Sequence, residues 1–186
     1  MKTVDRIIQY LRIEKVRPHI PCGARVLDIG CADGTLFKQL KSRIKEGVGI
    51  DPGLGRSVTL ENCRLIAGHF PKDLPDPRPF NVIVMLAVLE HVPPGQHQQL
   101  AENCAQFLRP GGKLIITIPS PKADRILRLL QSMRVIDGMA LEDHYGFDVT
   151  KTPELFSAGG LTLVKSEKFQ LGYNNLFVFK KSEDLE

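Results

Sequence analysis

A nearly uninterrupted apolar run, FNVIVMLAV at residues 80–88, is the feature that most restricts how this chain can fold. Half-buried strands alternate polar and apolar side chains, whereas a continuous apolar run is typical of a strand that is covered on both faces. Such strands occur in parallel sheets, whose neighbouring strands are usually joined by helices. The run therefore predicts an α/β fold.

Shorter apolar runs precede and follow this one. Four of them predict further strands, at residues 25–30, 47–51, 64–68 and 113–120. Two adjacent runs near the end of the chain, at 161–170 and 173–181, predict an antiparallel pair at one edge of the sheet. We expect a Rossmann-like, doubly wound, mostly parallel sheet of seven strands with a C-terminal antiparallel strand pair.

Segments with apolar residues at helical spacing lie between these runs. They predict helices over residues 3–17, 35–44, 122–134 and from after Pro94 to Leu108, where Pro110-Gly111-Gly112 ends the helix. A shorter helix is expected to begin at Pro153 with Thr152 as its cap and to end at Gly159-Gly160. The connection from Asp51 to Arg64 leaves little room for a long helix.

Length and composition predict a single domain. The 186 residues, 42% hydrophobic and 25% charged, suit one compact unit over 1–186, with residues 1–20 as a leading helix. Leu185-Glu186 is a candidate cloning remnant. No apolar stretch approaches the roughly 20 residues of a membrane span, and the start of the sequence does not resemble a signal peptide. We therefore expect a cytoplasmic protein.

Charge and cysteine spacing narrow the range of partners. The net charge is +4, and basic residues are spread from Arg12 to Lys181, which argues against nucleic acid as the substrate. The cysteines at 22, 31, 63 and 104 contain no CxxC pair of the kind that binds zinc. Nothing in the sequence indicates an oligomeric state.

A glycine turn follows the first predicted strand. In DIGCADG, residues 28–34, Gly30 and Gly34 let the backbone turn tightly and approach a ligand at the start of the next helix. The next strand ends in Asp51, about 20 residues after Gly30, where a carboxylate is placed to accept the hydroxyl protons of a ribose. Together they predict a nucleoside-bearing cofactor, although tight turns also need glycine without any ligand and Asp51 could instead cap a helix.

A nicotinamide cofactor is the competing interpretation. Its GxGxxG fingerprint is absent, because the turn reads Gly30-Cys-Ala-Asp-Gly34. Asp28 at the end of the strand would also face a pyrophosphate unfavourably, whereas it could pair with a cationic amino group on a different nucleoside cofactor.

Four ordered segments, RVLDIGCADG, GVGIDP, FNVIVMLAVLEHVP and LRPGGKLIITIPS, resemble successive motifs of the class I S-adenosylmethionine-dependent methyltransferases. The resemblance runs from about Arg25 to Lys180 and is strongest to small-molecule enzymes, including those of quinone biosynthesis. It implies a methyltransferase that binds S-adenosylmethionine.

The resemblance also implies which residues bind the cofactor. Asp28 and the turn are expected to bind the methionine end of the cofactor, and Asp51 is expected to bind the ribose. The adenine is expected to lie between the residues after Asp51 and the loop after the third predicted strand. The implied set is Asp28, Gly30, Cys31, Ala32, Gly34, Asp51, Pro52, Gly53, His69, Phe70, Leu86 and Ala87. Two of these positions depart from the family pattern: Ala32 replaces a common glycine, and His69 stands where an acid often accepts the adenine amino group.

Candidate catalytic residues lie at the end of the central run and in the late loop. Methyl transfer can proceed mainly by holding the reactants in line, but a phenol or amine acceptor benefits from a general base. Glu90, His91, His144 and Tyr145 are the candidates. Glu90-His91 also matches the end of an E-x-x-E-H metal motif of related enzymes, but Ala87 replaces its first acid, so no metal site is expected.

Two functions from different classes remain open. The leading hypothesis is a methyltransferase with a small-molecule acceptor, whose pocket is shaped in part by residues 137–150. The alternative is a module that binds S-adenosylmethionine without catalysis, or a partner subunit of an active methyltransferase. Ala32 and His69 motivate the alternative.

Overall fold

The computed structural model describes residues 3–120 and 147–183, and the side chains from residue 6 onward. Within these ranges the α-helices are α1 Thr3–Val16, α2 Thr35–Leu40, α3 His97–Phe107 and α4 Thr152–Ala158. The strands are β1 Arg25–Ile29, β2 Glu46–Asp51, β3 Val58–Thr59, β4 Cys63–Ala67, β5 Phe80–Leu86, β6 Leu108–Pro119, β7 Leu161–Phe169 and β8 Asn174–Lys181.

The eight described strands form one mixed sheet in the order β3-β4-β2-β1-β5-β6-β8-β7. The five neighbouring strands β4, β2, β1, β5 and β6 run parallel to one another. The C-terminal strands β7 and β8 pair antiparallel, as the sequence predicts, and β8 also runs antiparallel to β6. The chain winds outward from β1 in one direction through β2 and from β5 in the other. The switch in strand order therefore lies between β1 and β5, where ligands of doubly wound sheets bind.

Helices cover both faces of the sheet, which explains the continuous apolar run. On one face α1 and α2 pack buried side chains such as Ile13, Val16 and Phe37 against β1, β5 and β6. On the other face α3 and α4 contribute Cys104 and Phe156. Strand β5, at the centre, is buried at Phe80 and from Val82 to Met85, so both sides of it need apolar residues.

The structure differs from the sequence prediction in the number of strands and in several boundaries. The eighth strand, β3, lies in the short connection between β2 and β4 and pairs antiparallel with β4. Helix α2 ends at Leu40 and a 3₁₀ turn, Lys41–Arg43, replaces the rest of the predicted helix; Lys41 has a positive φ of 45°. Helix α3 ends at Phe107, and β6 begins at Leu108 rather than after Gly112.

The predicted cap of the last helix is also wrong. Thr152 is the first residue of α4, and its hydroxyl donates to the carbonyl oxygen of Val149 at 2.8 Å instead of accepting from the helix. The preceding 3₁₀ turn is capped by Asp148, which accepts from the N–H of Thr150 at 3.0 Å. The predicted helix over 122–134 and the candidate cloning remnant lie outside the described residues.

A charged network closes the amino-terminal edge of the sheet, opposite the strand ends that carry the glycine turn. Arg25, only 8% exposed, pairs with Glu46 at 3.1 Å and with Asp76 at 2.8 Å. Its guanidinium carbon lies 4.0 Å from the centroid of the Phe80 ring. Exposed Arg78 pairs with the same two carboxylates. The buried arginine therefore joins three segments of the chain.

Arg25→Met is expected to lower the free energy of unfolding by about 2 kcal/mol, the order of magnitude for losing hydrogen bonds between charged groups. Arg78→Met is the matched control, because an exposed ion pair contributes only about 0–1 kcal/mol. Urea denaturation measures both. Equal losses in the two variants would contradict the central position given to Arg25.

Candidate functional site

The turn after β1 consists of Gly30 to Gly34, and the packing around it requires glycine at both ends. Gly30 has a φ of +75° and Gly34 of +72°, where L side chains are rarely found. A Cβ on Gly30 would lie 2.4 Å from Cγ2 of Val88, and one on Gly34 would lie 2.9 Å from Cδ1 of Leu65. The fold itself therefore requires glycine at both positions, whether or not a ligand also approaches the turn.

Asp51 at the end of β2 touches this turn directly. Its Oδ2 accepts the backbone N–H of Ala32 at 2.8 Å, and its Oδ1 accepts that of Gly53 at 2.7 Å. The parallel pairing of β1 with β2, which sets Ile29 beside Ile50, brings the two strand ends together. The bare turn and the carboxylate, far apart in sequence, form one continuous surface.

Ala32, the departure from the common glycine, adopts a positive φ of 45°. A non-glycine residue in this region costs about 1–2 kcal/mol. The hydrogen bond from its N–H to Asp51 holds it there. Glycine is common at this position because the turn demands the left-handed conformation, and alanine is accommodated at a moderate cost.

Asp33, which the sequence reasoning did not select, organises the start of α2. Its Oδ1 accepts from the backbone N–H of Thr35 at 3.1 Å and from the Thr35 hydroxyl at 2.6 Å. Burial raises the pKa of Asp33, but the hydrogen bonds from Thr35 and the charge of Lys38 outweigh it, so that the net shift is downward. An aspartate that accepts from the backbone N–H two residues on forms an Asx turn, which is common for this residue type just before a helix.

Asp28 is a buried carboxyl immediately before the turn. It is 3% exposed and lies in the last positions of β1. Burial, assisted by the negative charge of Asp51, raises the pKa of Asp28 well above its usual range. The ionised form of Asp28 is therefore unfavourable in this buried position unless a cation binds beside it. This makes Asp28 suited to bind a cationic group.

Cys31 takes part in the turn through its backbone and in the core through its side chain. Its thiol is buried, and burial together with the charge of Asp28 raises its pKa strongly. Such a thiol stays protonated and is a poor nucleophile. A covalent role for Cys31 is therefore not supported.

The loop after β4 contains His69 and Phe70. His69 is exposed, and its backbone N–H donates to Oδ2 of Asp73 at 2.8 Å. Phe70 packs edge-on against Phe107 of α3, with ring centroids 5.4 Å apart. Sequence reasoning missed Asp73, which supplies a carboxylate to the loop four residues after the position where the family often has an acid.

The end of β5 brings the acceptor-side candidates beside the turn. Ala87 has a φ of +58°, and its N–H donates to the carbonyl oxygen of Thr117 at 2.9 Å. The next residue is Val88, the side chain that packs on Gly30. A 3₁₀ turn, Leu89–His91, follows, with Glu90 buried and His91 half-buried. His144 and Tyr145 lie outside the described residues.

The leading helix contributes an arginine to the same end of the sheet. Arg12 donates from Nη2 to Oδ1 of Asn174 at 3.1 Å. Burial lowers the pKa of Arg12, and the negative charge of Glu90 opposes this shift, so the two charges lie near one another. The sequence offered only a weak signal, a cation beside the buried Ile13 in an amphipathic helix.

Two kinds of feature are not found in the part of the chain that the structure describes. Over 3–120 and 147–183, no group of three or more His, Cys, Asp or Glu side chains is arranged to hold a metal ion. Each helix in those same ranges is too short or too polar to cross a bilayer.

Comparison with known proteins gives a consistent family. A family model described as a methyltransferase domain matches residues 4–165. The ubiquinone biosynthesis O-methyltransferase of Xylella fastidiosa (strain 9a5c) is 28% identical over 156 residues, which are 78% of this chain and 63% of that protein. The enzyme of the same name from Idiomarina loihiensis is 33% identical over 104 residues, 51% of this chain and 42% of that protein.

Solved structures agree on the fold. The 1,6-didemethyltoxoflavin-N1-methyltransferase of Burkholderia thailandensis, solved with 1,6-didemethyltoxoflavin and S-adenosylhomocysteine, superposes with a TM-score of 0.66 at 18% identity, over 92% of this chain and 77% of that one. The chain spans less than two thirds of the curated relatives described above. The family match over most of its length establishes that the chain belongs to the methyltransferase domain family.

Proposed function

We propose that this chain transfers the methyl group of S-adenosylmethionine to a hydroxyl oxygen of a small molecule. The observation that carries the proposal is the contact between Asp51 and the N–H of Ala32, which joins the bare turn and a carboxylate into one surface. A carboxylate with two oxygens at this position suits a ribose diol. The relatives named O-methyltransferases support oxygen as the acceptor atom.

The residues present fit the cofactor. Ribose hydroxyls would replace or share the backbone N–H groups that Asp51 now accepts. Asp28, buried and beside Asp51, would pair with the ammonium group of the methionine end and thereby gain the missing counter-charge. The backbone of Gly30, Cys31, Ala32 and Gly34 would border the methionine chain.

The remaining cofactor contacts are assigned by their place at the sheet edge. Pro52, Gly53, His69 and Phe70 border the adenine in this proposal, and Leu86 and Ala87 border the methionine end. His69 offers its exposed ring to the adenine while Asp73 holds its backbone.

Glu90 is the proposed general base, with His91, His144 and Tyr145 as further acceptor-facing groups. The bound sulfonium supplies an electrophilic methyl group, so that the protein needs mainly to align the acceptor and exclude water. Glu90 would accept the proton of the acceptor hydroxyl as its oxygen bonds to the methyl carbon. Its buried position, two residues after the side chain that packs on Gly30, supports this assignment.

The non-catalytic alternative rests on Ala32 and His69. The backbone of Ala32 already adopts the conformation that the turn requires, so this departure does not argue for lost cofactor binding. A methyl acceptor remains to be identified, and cytoplasmic localisation and the single-domain organisation remain predictions.

Asp51→Ala is expected to weaken binding of S-adenosylhomocysteine by about 1–3 kcal/mol, the range for losing a hydrogen bond to a charged group. Calorimetry on the purified chain measures the affinity, and thermal unfolding shows whether the variant is folded. Asp33→Ala is the matched control in the same turn, since its carboxylate serves α2. Unchanged affinity in Asp51→Ala would contradict the ribose assignment.

Asp28→Asn is expected to stabilise the cofactor-free chain at neutral pH and to weaken cofactor binding. Because the folded pKa of Asp28 is raised, the wild type loses stability as pH rises from the usual carboxyl range, about 4, toward that raised pKa. The variant lacks this loss, so its advantage in urea denaturation should grow with pH. Asp33→Asn should show the opposite sign and in a different range, because the pKa of Asp33 is lowered: its disadvantage should grow with pH only below about 4 and stay constant above it. An advantage that is independent of pH would contradict the assignment.

Glu90→Gln is expected to lower kcat on any accepted hydroxyl compound by about 10²–10⁴-fold, the usual contribution of a general base. S-adenosylhomocysteine affinity should stay unchanged. Formation of S-adenosylhomocysteine over a panel of hydroxylated aromatics measures turnover, with His91→Asn in parallel. Wild-type turnover by Glu90→Gln would refute the base assignment, and cofactor binding without turnover by the wild type would favour the non-catalytic alternative.

A further inference from the structure

The leading helix fixes a guanidinium at the carboxyl end of β6, beside the amino end of β8. Arg12 donates to Asn174, the first residue of β8, which pairs with Pro119 at the end of β6. Asn174 in turn donates from Nδ2 to Oε1 of Gln170 at 2.5 Å, and Gln170 donates back to the carbonyl oxygen of Ile8 at 3.5 Å. This chain of contacts returns to α1 and sets the orientation of the Arg12 side chain.

Two buried polar atoms near these contacts can still form hydrogen bonds. Nε of Arg12 and Oγ1 of Thr117 are buried and have no hydrogen-bond partner among the residues that the structure describes. A buried donor without a partner costs about 1–3 kcal/mol. Thr117 shares with Ile115 the sheet face that α1 covers, because side chains alternate along β6. Two unused hydrogen-bonding groups therefore lie on the α1 side of the same sheet end.

This cluster adjoins the proposed site of methyl transfer. Thr117 pairs with Leu86 at the end of β5, and its carbonyl oxygen accepts the N–H of Ala87. Glu90 follows within four residues of Leu86, and its charge acts on Arg12. The glycine turn, Glu90 and the two donors without a partner, on Arg12 and Thr117, thus lie near the carboxyl ends of the adjacent strands β1, β5 and β6.

We propose that Arg12 and Thr117 bind the reacting oxygen of the acceptor and make the site selective for hydroxyl over amine acceptors. The inference rests on the proposed function and goes beyond it, because it assigns specificity to the leading helix. Asn174 is a positioning residue that holds Arg12.

The selectivity follows from lone pairs and charge. A hydroxyl oxygen has two lone pairs, so that one can accept from Arg12 while the other attacks the methyl carbon. As its proton passes to Glu90, the oxygen gains a further lone pair that can accept from the Thr117 hydroxyl. An amine has a single lone pair and must use it for the attack, and a protonated amine is repelled by the guanidinium.

The transfer step balances without a further reactant. The hydroxyl proton passes to the Glu90 carboxylate, the oxygen–carbon bond forms, and the carbon–sulfur bond breaks with its electron pair remaining on sulfur. The guanidinium N–H stabilises the negative charge that develops on the oxygen before the bond is complete.

The test uses two fluorescent probes of matched shape, 7-hydroxycoumarin and 7-aminocoumarin, titrated into the full chain saturated with S-adenosylhomocysteine. The wild type is expected to bind the hydroxyl probe about tenfold more tightly or better, the ratio that corresponds to one hydrogen bond to a charged donor. Arg12→Met should remove this preference, and Thr117→Val should reduce it severalfold. Arg12→Lys should retain part of it, since a cationic donor remains.

Two controls separate this inference from a general loss of structure, and a second variant replaces Arg12→Met if needed. S-adenosylhomocysteine affinity should be the same in Arg12→Met and the wild type. Lys15→Met, one turn along α1 from Arg12, should leave the preference unchanged because Lys15 pairs with Glu167. If Arg12→Met does not fold, the nearly isosteric Thr117→Val carries the test.

The outcomes distinguish the two proposals. A wild type that binds S-adenosylhomocysteine but binds neither probe, or binds both equally, overturns the inference and leaves the cofactor assignment intact. Retention of the full preference in Arg12→Met, or in Thr117→Val, also overturns it. A wild type that does not bind S-adenosylhomocysteine refutes the proposed function itself.

Discussion

The contact on which the site depends is the pair of hydrogen bonds accepted by Asp51. One carboxylate oxygen holds the turn after β1, and the other holds the residues after β2. Parallel pairing alone would align the two strands without fixing the loops beyond them. Because the same side chain restrains both loops, the strand ends keep a common surface, and Ala32 can remain in a conformation that alanine seldom adopts. This surface is the one that we propose receives the nucleoside.

Much of the fold followed from the sequence because the central strands are buried on both faces. A run such as 80–88 is continuous in the sequence and becomes β5, Phe80–Leu86, nearly without change. The terminal runs also matched the antiparallel pair. By contrast, Val58–Thr59 has too few residues to show any period, and its pairing with β4 is a tertiary contact. Helix α2 ends early at Lys41, which has a positive φ, and a lysine at this position gives no sign of that conformation in the sequence.

The residues of the candidate site likewise differ in how well the sequence predicted them. The turn and Asp51 could be selected because their separation along the chain follows from one crossover between adjacent strands. Arg12 and Asn174 are 162 residues apart, and only the folded sheet brings them together. Asp73 was missed for a different reason: it enters the loop through a hydrogen bond to the backbone of His69, which leaves no trace in a family motif. The sequence therefore indicated that the turn and Asp51 lie together, but it did not indicate the contacts of Arg12 and Asp73.

The packing of Val88 on Gly30 constrains the two residues unequally. The distance of 2.4 Å between a virtual Cβ at position 30 and Val88 leaves no room for adjustment at the glycine. Position 88, in contrast, can shrink without touching the turn. Natural or laboratory variation that reshapes the space for a bulkier acceptor would therefore accumulate at residue 88 and its neighbours, while the residue facing it stays invariant. Acceptor diversity could then arise without any cost to cofactor recognition.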